Sequence, residues 1–187
     1  MKNTIVYLIG FPGVGKLTVG QEICVQTGAR LMDNHLINNV AFSLVRVDGS
    51  TPIPDQVWDE IKQIRDAGLR IIARHAPAEA SFVLTNVLLD DAGDRALHAQ
   101  VEATAEQRGA LFVPVLLRCE ENENMRRLVS PGREERMKET DPETARQRLN
   151  TEPLLDVAHP NRLDLDTTDV PPAATARQII EHAERLA

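Results

Sequence analysis

The 187-residue sequence predicts an α/β fold, a doubly wound parallel sheet of five strands. Three observations lead there. Short apolar runs of strand length alternate with longer segments of helical period. The runs are almost continuously apolar, as in strands covered on both faces. The first run, Ile5–Ile9, leads straight into Gly10-Phe11-Pro12-Gly13-Val14-Gly15-Lys16-Leu17-Thr18 and then into a helical segment. Strand, glycine loop, lysine and helix is the order that encloses a phosphate group.

The elements follow in order. Ile5–Ile9 is the first strand, and Lys16–Thr27 is a helix that Gly28 closes as a C-cap. Ala29–Met32 reads as a short second strand, ended by Asp33-Asn34-His35. Leu36–Val45 reads as helical and stops at Asp48-Gly49. Pro52 and Pro54 open a long helix with Asp55 in its first turn. Its Val57, Ile61, Ile64, Gly68 and Ile71/Ile72 recur at the 3.6 period of a helix with one buried side. Trp58 is expected to pack that helix on the sheet. Ser81–Thr85 is the third strand. Asp90 and Asp91 begin a helix over Asp94–Gln107 that ends at Gly109. Leu111–Leu117, the longest apolar run, is the fourth strand, and Glu121–Val129 is helical. Ser130–Asp141 is polar and charged and breaks at Pro131-Gly132. Pro142–Asn150 is a helix and Arg162–Leu165 the fifth strand. Pro171 starts a last helix expected to bury Ala176, Ile179, Ile180 and Ala183. No internal repeat or low-complexity stretch interrupts this order.

Composition bounds the function. The length suits a single domain over 1–187 with a real core. A net charge of −7 argues against non-specific nucleic-acid binding. No apolar run approaches the length of a membrane span, and Met1-Lys2-Asn3-Thr4 leads directly into a strand, so a cytoplasmic protein is expected. Cys24 and Cys119 lie far apart in apolar stretches and read as buried free thiols. Only four of the 21 basic residues are lysines, Lys2, Lys16, Lys62 and Lys138. Arginine suits bidentate phosphate recognition, and an Arg-rich, Ala-rich chain also reflects base composition. The oligomeric state leaves no mark on the sequence.

The loop carries the chemistry. Gly10, Gly13 and Gly15 let the backbone curl so that several N–H groups, with those of Val14, Lys16, Leu17 and Thr18, converge on one anion. The helix N-terminus adds partial positive charge, and Lys16 a point charge for the outer phosphates. The pattern departs from the common one at Leu17, where a hydroxyl is usual. Thr18, one residue later, supplies it and is the candidate on the Mg²⁺ side.

This loop resembles that of the small kinases that include adenylate, shikimate and gluconate kinases. Adenylate kinases also lack a hydroxyl directly after the lysine. The resemblance implies ATP and Mg²⁺ as cofactors, strand order 2-3-1-4-5, and a small-molecule acceptor held by helices over 36–75. With Leu17 in place, Mg²⁺ would be held mostly by phosphates and water, with Thr18 nearer the α-phosphate. Asp33 would contact the acceptor, as a base for its hydroxyl or through Mg²⁺-bound water. The plainer alternative for Asp33 is a cap of the next helix. His35 would touch the acceptor or act as a second base, or simply begin that helix. Arg65, Arg70 and Arg74 lie where nucleotide-directed relatives clamp an acceptor phosphate; Arg70 and Arg74 share a face one helical turn apart, and Arg74 is taken as substrate-binding, the plainer alternative being a solvated helix face. Segment 130–141 would be the lid, with Arg133 and Arg136 over the transferring phosphoryl group, or else a solvated charged surface. Asp166-Thr167-Thr168 falls where the relatives pack a loop against adenine. The chain departs from shikimate kinases in lacking three glycines after the third strand and a second acid near Asp33. It also has no Asp at the end of the third strand, where many phosphate-loop proteins place a Mg²⁺ ligand. Two functions stand: an ATP-dependent phosphotransferase acting on a hydroxyl or phosphate, or a nucleotide-binding regulator or slow ATPase without an acceptor.

Overall fold

A computed structural model describes residues 1–47, 51–130 and 141–187. Five strands form one parallel sheet in the order β2-β3-β1-β4-β5: β1 Thr4–Ile9, β2 Arg30–Asp33, β3 Phe82–Asn86, β4 Leu111–Arg118 and β5 Leu163–Asp166. The helices are α1 Lys16–Thr27, α2 Asn34–Phe42, α3 Asp55–Arg74, α4 Ala92–Arg108, α5 Glu121–Leu128, α6 Pro142–Thr151 and α7 Pro172–Leu186.

Side-chain alternation along β1 divides the core in two. Val6 and Leu8 point to one face and pack with Val19 and Ile23 of α1 and with Ala176 and Ile179 of α7. Ile5, Tyr7 and Ile9 point to the other and pack with Leu69 and Ile72 of α3 and with Val101 and Ala105 of α4. All four residues expected inside the last helix are buried. Gly28 and Gly109 close their helices in the left-handed conformation, and the Asp91 carboxylate caps α4 by accepting from the Asp94 amide.

Several expectations shift. Helix α2 begins at Asn34 and ends at Phe42, because β2 runs on through Asp33; the expected stop at Asp48-Gly49 lies outside the described residues. Trp58 does not reach the sheet. It is half exposed and meets Phe42 of α2 edge-on, ring centres 5.6 Å apart. In α3, Leu69 rather than Ile71 turns inward, and Ile71 is exposed. Cys24 and Cys119 are free but only half buried. Among the described residues no helix is long and apolar enough to cross a membrane.

The topology brings the ends of β1, β2, β3 and β4 to one edge. Asp33 and Leu8 both stand opposite Thr85, so two strand spacings, about 10 Å, separate β2 from the strand that feeds the loop.

Candidate functional site

Residues Gly10–Gly15 turn from β1 into α1 at the carboxyl edge of the sheet. A Cβ on Gly10 would lie 2.5 Å from the Leu117 carbonyl oxygen, so only glycine lets this backbone pass so close to β4. Gly13 has φ +86°, a conformation that side chains resist. The Lys16 ammonium curls back over the loop and donates to the carbonyls of Gly10 (2.5 Å) and Phe11 (2.9 Å). Leu17 is half buried. Thr18 is exposed, its hydroxyl donating to the Gly15 carbonyl at 3.2 Å.

Beside the loop opens a cleft of about 530 Å³, lined by Val14, Gly15, Thr18, Glu123, Arg127 and Thr168 among others. Its cations already have partners. Arg126 makes two 2.6 Å hydrogen bonds to Glu123, and Arg127 Nε a third at 2.7 Å. These bonds hold the Glu123 carboxyl down at about 2. Arg127 also donates to the carbonyls of Thr167 (2.7 Å) and Thr168 (2.9 Å), tying α5 to the segment after β5.

Across β3 lies a polar network. The buried Thr85 hydroxyl donates to Asp33 Oδ1 at 2.6 Å and accepts from the Asn34 amide at 3.1 Å. Asp33 precedes α2 but makes no side-chain cap, so its carboxylate faces β3 rather than its own helix. The Tyr7 hydroxyl, whose pKa burial drives far above the ordinary phenol value, donates to Asn86 Oδ1. Asn86 Nδ2 in turn donates to Asn34 Oδ1. A small cavity here is bordered by Asn34, Asn86, Met32, Ile37, Leu69 and the half-buried Arg65. Among the described residues Arg65 makes no hydrogen bond or ion pair.

The fold therefore gathers Gly10, Gly13, Val14, Gly15, Lys16, Leu17, Thr18, Asp33 and His35 along one edge. It does not bring Arg74 there. Arg74 ends α3 on the opposite side, where Arg108 at the end of α4 bonds the carbonyls of Ile72 and Pro77 and Asn3 precedes β1. Arg133 and Arg136 lie outside the described residues. Read from sequence, Thr85 and Asn124 carry no role, Thr167 falls only in a loop expected against adenine, and Arg65 is not chosen from the three arginines of its helix. One signal was available for Arg65: it keeps phase with the inward-facing Ile61, Leu69 and Ile72.

No protein-family model matches the chain, and neither does any curated protein. Solved structures do. A gluconokinase from Sinorhizobium meliloti 1021 superposes with a TM-score of 0.65 at 18% identity, covering 99% of this chain and 94% of that one. An APS kinase from Mycobacterium tuberculosis, solved with AMPPNP and APS, gives 0.58 at 19% identity over 98% of each chain. A shikimate kinase from Acinetobacter baumannii gives 0.54 at 17% identity over 98% of this chain and 94% of the other. With its strand order and its glycine loop between β1 and α1, the chain has the fold of the P-loop small-molecule kinases.

Proposed function

We propose that the chain binds ATP with Mg²⁺ and moves the γ-phosphoryl group to a hydroxyl or phosphate of a small molecule. The observation that carries this reading is the Asp33 carboxylate, held by Thr85 at the carboxyl end of β2, two strands from the phosphate loop. A nucleotide regulator needs the loop. It does not need an oriented carboxylate two strands away on the same edge.

In this reading the loop amides and Lys16 bind the phosphates, and Lys16 exchanges its carbonyl partners for the outer phosphate oxygens. The acceptor hydroxyl gives its proton to Asp33, its oxygen bonds to the γ-phosphorus, and the bond to the β–γ bridging oxygen breaks, releasing ADP. Thr85 keeps Asp33 from rotating away. Mg²⁺ would neutralise charge on the β- and γ-phosphates. Among the described residues no group of three His, Cys, Asp or Glu side chains could hold a metal alone. Thr18 Oγ, exposed in the cleft beside the loop, would be this chain's own donor to an ion that arrives with the nucleotide and keeps phosphate and water ligands. Arg65, set in an apolar surround with Asn34 and Asn86, is the acceptor-side cation.

The test is a screen of hydroxylated and phosphorylated metabolites with ATP, read by phosphorus NMR for a phosphorylated product. For a hydroxyl acceptor, Asp33→Asn lowers turnover about 10²- to 10⁴-fold and leaves nucleotide affinity within about twofold. ATP loss with no phosphorylated product across the screen would overturn the phosphotransferase reading.

A further inference from the structure

Five carbonyls of the Gly10–Gly15 loop are engaged by side chains, that of Gly15 by the nearby Thr18 hydroxyl. Lys16 takes those of Gly10 and Phe11. Asn124 Nδ2 donates to the Pro12 carbonyl at 2.8 Å, and the Thr167 hydroxyl to that of Val14 at 2.9 Å. The two pairs differ in kind. Lys16 belongs to the loop's own helix and is the group assigned above to phosphate. Asn124 comes from α5, and Thr167 from just past β5, 112 and 153 residues from the carbonyls they hold. Both are buried, at 1% and 2% exposure, behind the loop.

The reason to hold these carbonyls is electrostatic. A loop whose N–H groups converge on an anion must turn its C=O groups outward, because an inward carbonyl would repel phosphate. An outward carbonyl that is also buried needs a donor. At Pro12 and Val14 the donors are in place. These residues flank Gly13, one of two glycines of the turn with φ near +90°, so the backbone is anchored on both sides of it. The Asn124 amide lies directly against that turn: a Cβ on Gly13 would come within 2.8 Å of Nδ2. Asn124 Oδ1 is buried with no partner among the described residues, so the bond to Pro12 orients the amide. Turned the other way, it would set acceptor against acceptor. Arg127 Nη1 donates to the Thr167 hydroxyl at 3.1 Å, leaving the hydroxyl proton to be shared between the carbonyls of Val14 and Arg118.

We propose that Asn124 and Thr167 are positioning residues for the phosphate loop. They hold the Pro12 and Val14 carbonyls away from the anion, so that the amides already face phosphate before it arrives. The inference rests on the phosphate-loop reading. A loop shaped in advance loses less free energy on ordering when ligand binds, so removing either donor weakens binding of phosphate in particular.

Calorimetric titration with inorganic tripolyphosphate and with AMPPNP tests this in the full chain. Asn124→Leu and Thr167→Val each lower tripolyphosphate affinity about tenfold, the effect of one hydrogen bond. Thr167→Ser, which keeps the hydroxyl, restores affinity to within about twofold, and turnover at saturating ATP falls less than affinity does. Should Asn124→Leu prove too unstable, the Val and Ser variants at Thr167 decide, since they differ mainly in the hydroxyl. Wild-type affinity in both Asn124→Leu and Thr167→Val overturns the inference and leaves the phosphate loop standing. Failure of the wild-type chain to bind either probe overturns the phosphate-loop reading and this inference with it.

Discussion

Around the phosphate loop the positive groups already have protein partners: Lys16 bonds two loop carbonyls, and Arg126 and Arg127 share Glu123. Across β3, Arg65 is half buried beside Met32, Ile37 and Leu69 and makes no hydrogen bond or ion pair among the described residues. The first arrangement shapes a site in advance and keeps its charges stable when empty. The second leaves a half-buried cation without a hydrogen bond, facing the Asp94 carboxylate only through longer-range attraction. In the proposed reading the loop side persists without ligand and an acceptor anion completes the other.

The largest expected effect breaks the loop side. Lys16→Ala removes the charge on the outer phosphates, and turnover falls by about three or more orders of magnitude. The thermal midpoint changes little, because the lysine contributes to an anion site and not to the core. Turnover at the wild-type rate would sink the loop reading.

On the other side, Arg65→Met keeps the bulk of the side chain and removes its charge. Affinity for an anionic acceptor should drop about 10- to 100-fold, while the melting temperature changes little, because no hydrogen bond is lost and the attraction to Asp94 acts at longer range. A lower melting temperature with unchanged acceptor KM would show that Arg65 is structural, and the contrast would collapse.

Leu17→Ser restores the usual hydroxyl beside Lys16. If Mg²⁺ relies on phosphates and water, metal affinity in the nucleotide complex improves only a few-fold; a gain of about a hundredfold would mark the natural site as metal-deficient.

The smallest effect concerns Glu123. Hydrogen bonds from Arg126 and Arg127 hold its carboxyl at about 2, below the ordinary 4.5. A depressed carboxyl stabilises the fold fully above its unfolded value, and that contribution is lost as pH falls from about 4.5 toward about 2. NMR titration of the Glu123 side-chain carbon checks it, and a midpoint near 4.5 would show that the loop-side cations are not paired in advance.

The two sides also differ in how far they could be read. Gly10–Thr18 is contiguous, so its glycines, lysine and flanking strand and helix are visible in one short stretch. Asp33 was found because it ends a strand. Thr85, which orients it, looked like an ordinary strand residue, since hydrogen bonding across β3 depends on a register no single segment encodes. Arg74 drew notice as one of a pair a helical turn apart. The direction of α3 then carries it to the far end of the sheet and leaves Arg65, in phase with the buried face, at the near one.

By itself the sequence determined the fold class, the location of every strand to within a residue or two, and the glycine loop between β1 and α1, because apolar periodicity and glycine punctuation act over a few residues. Strand order had to be inferred with help from resemblance, and the sheet bears it out. Only the tertiary structure decided which groups come together: the Thr85 hydroxyl bonds Asp33, Arg65 borders one cavity with Asn34 and Asn86, Asn124 bonds the Pro12 carbonyl and Thr167 that of Val14. Each joins residues 21 to 153 positions apart. Such contacts are set by how helices and strands pack, and packing is a property of the whole core rather than of any segment within it.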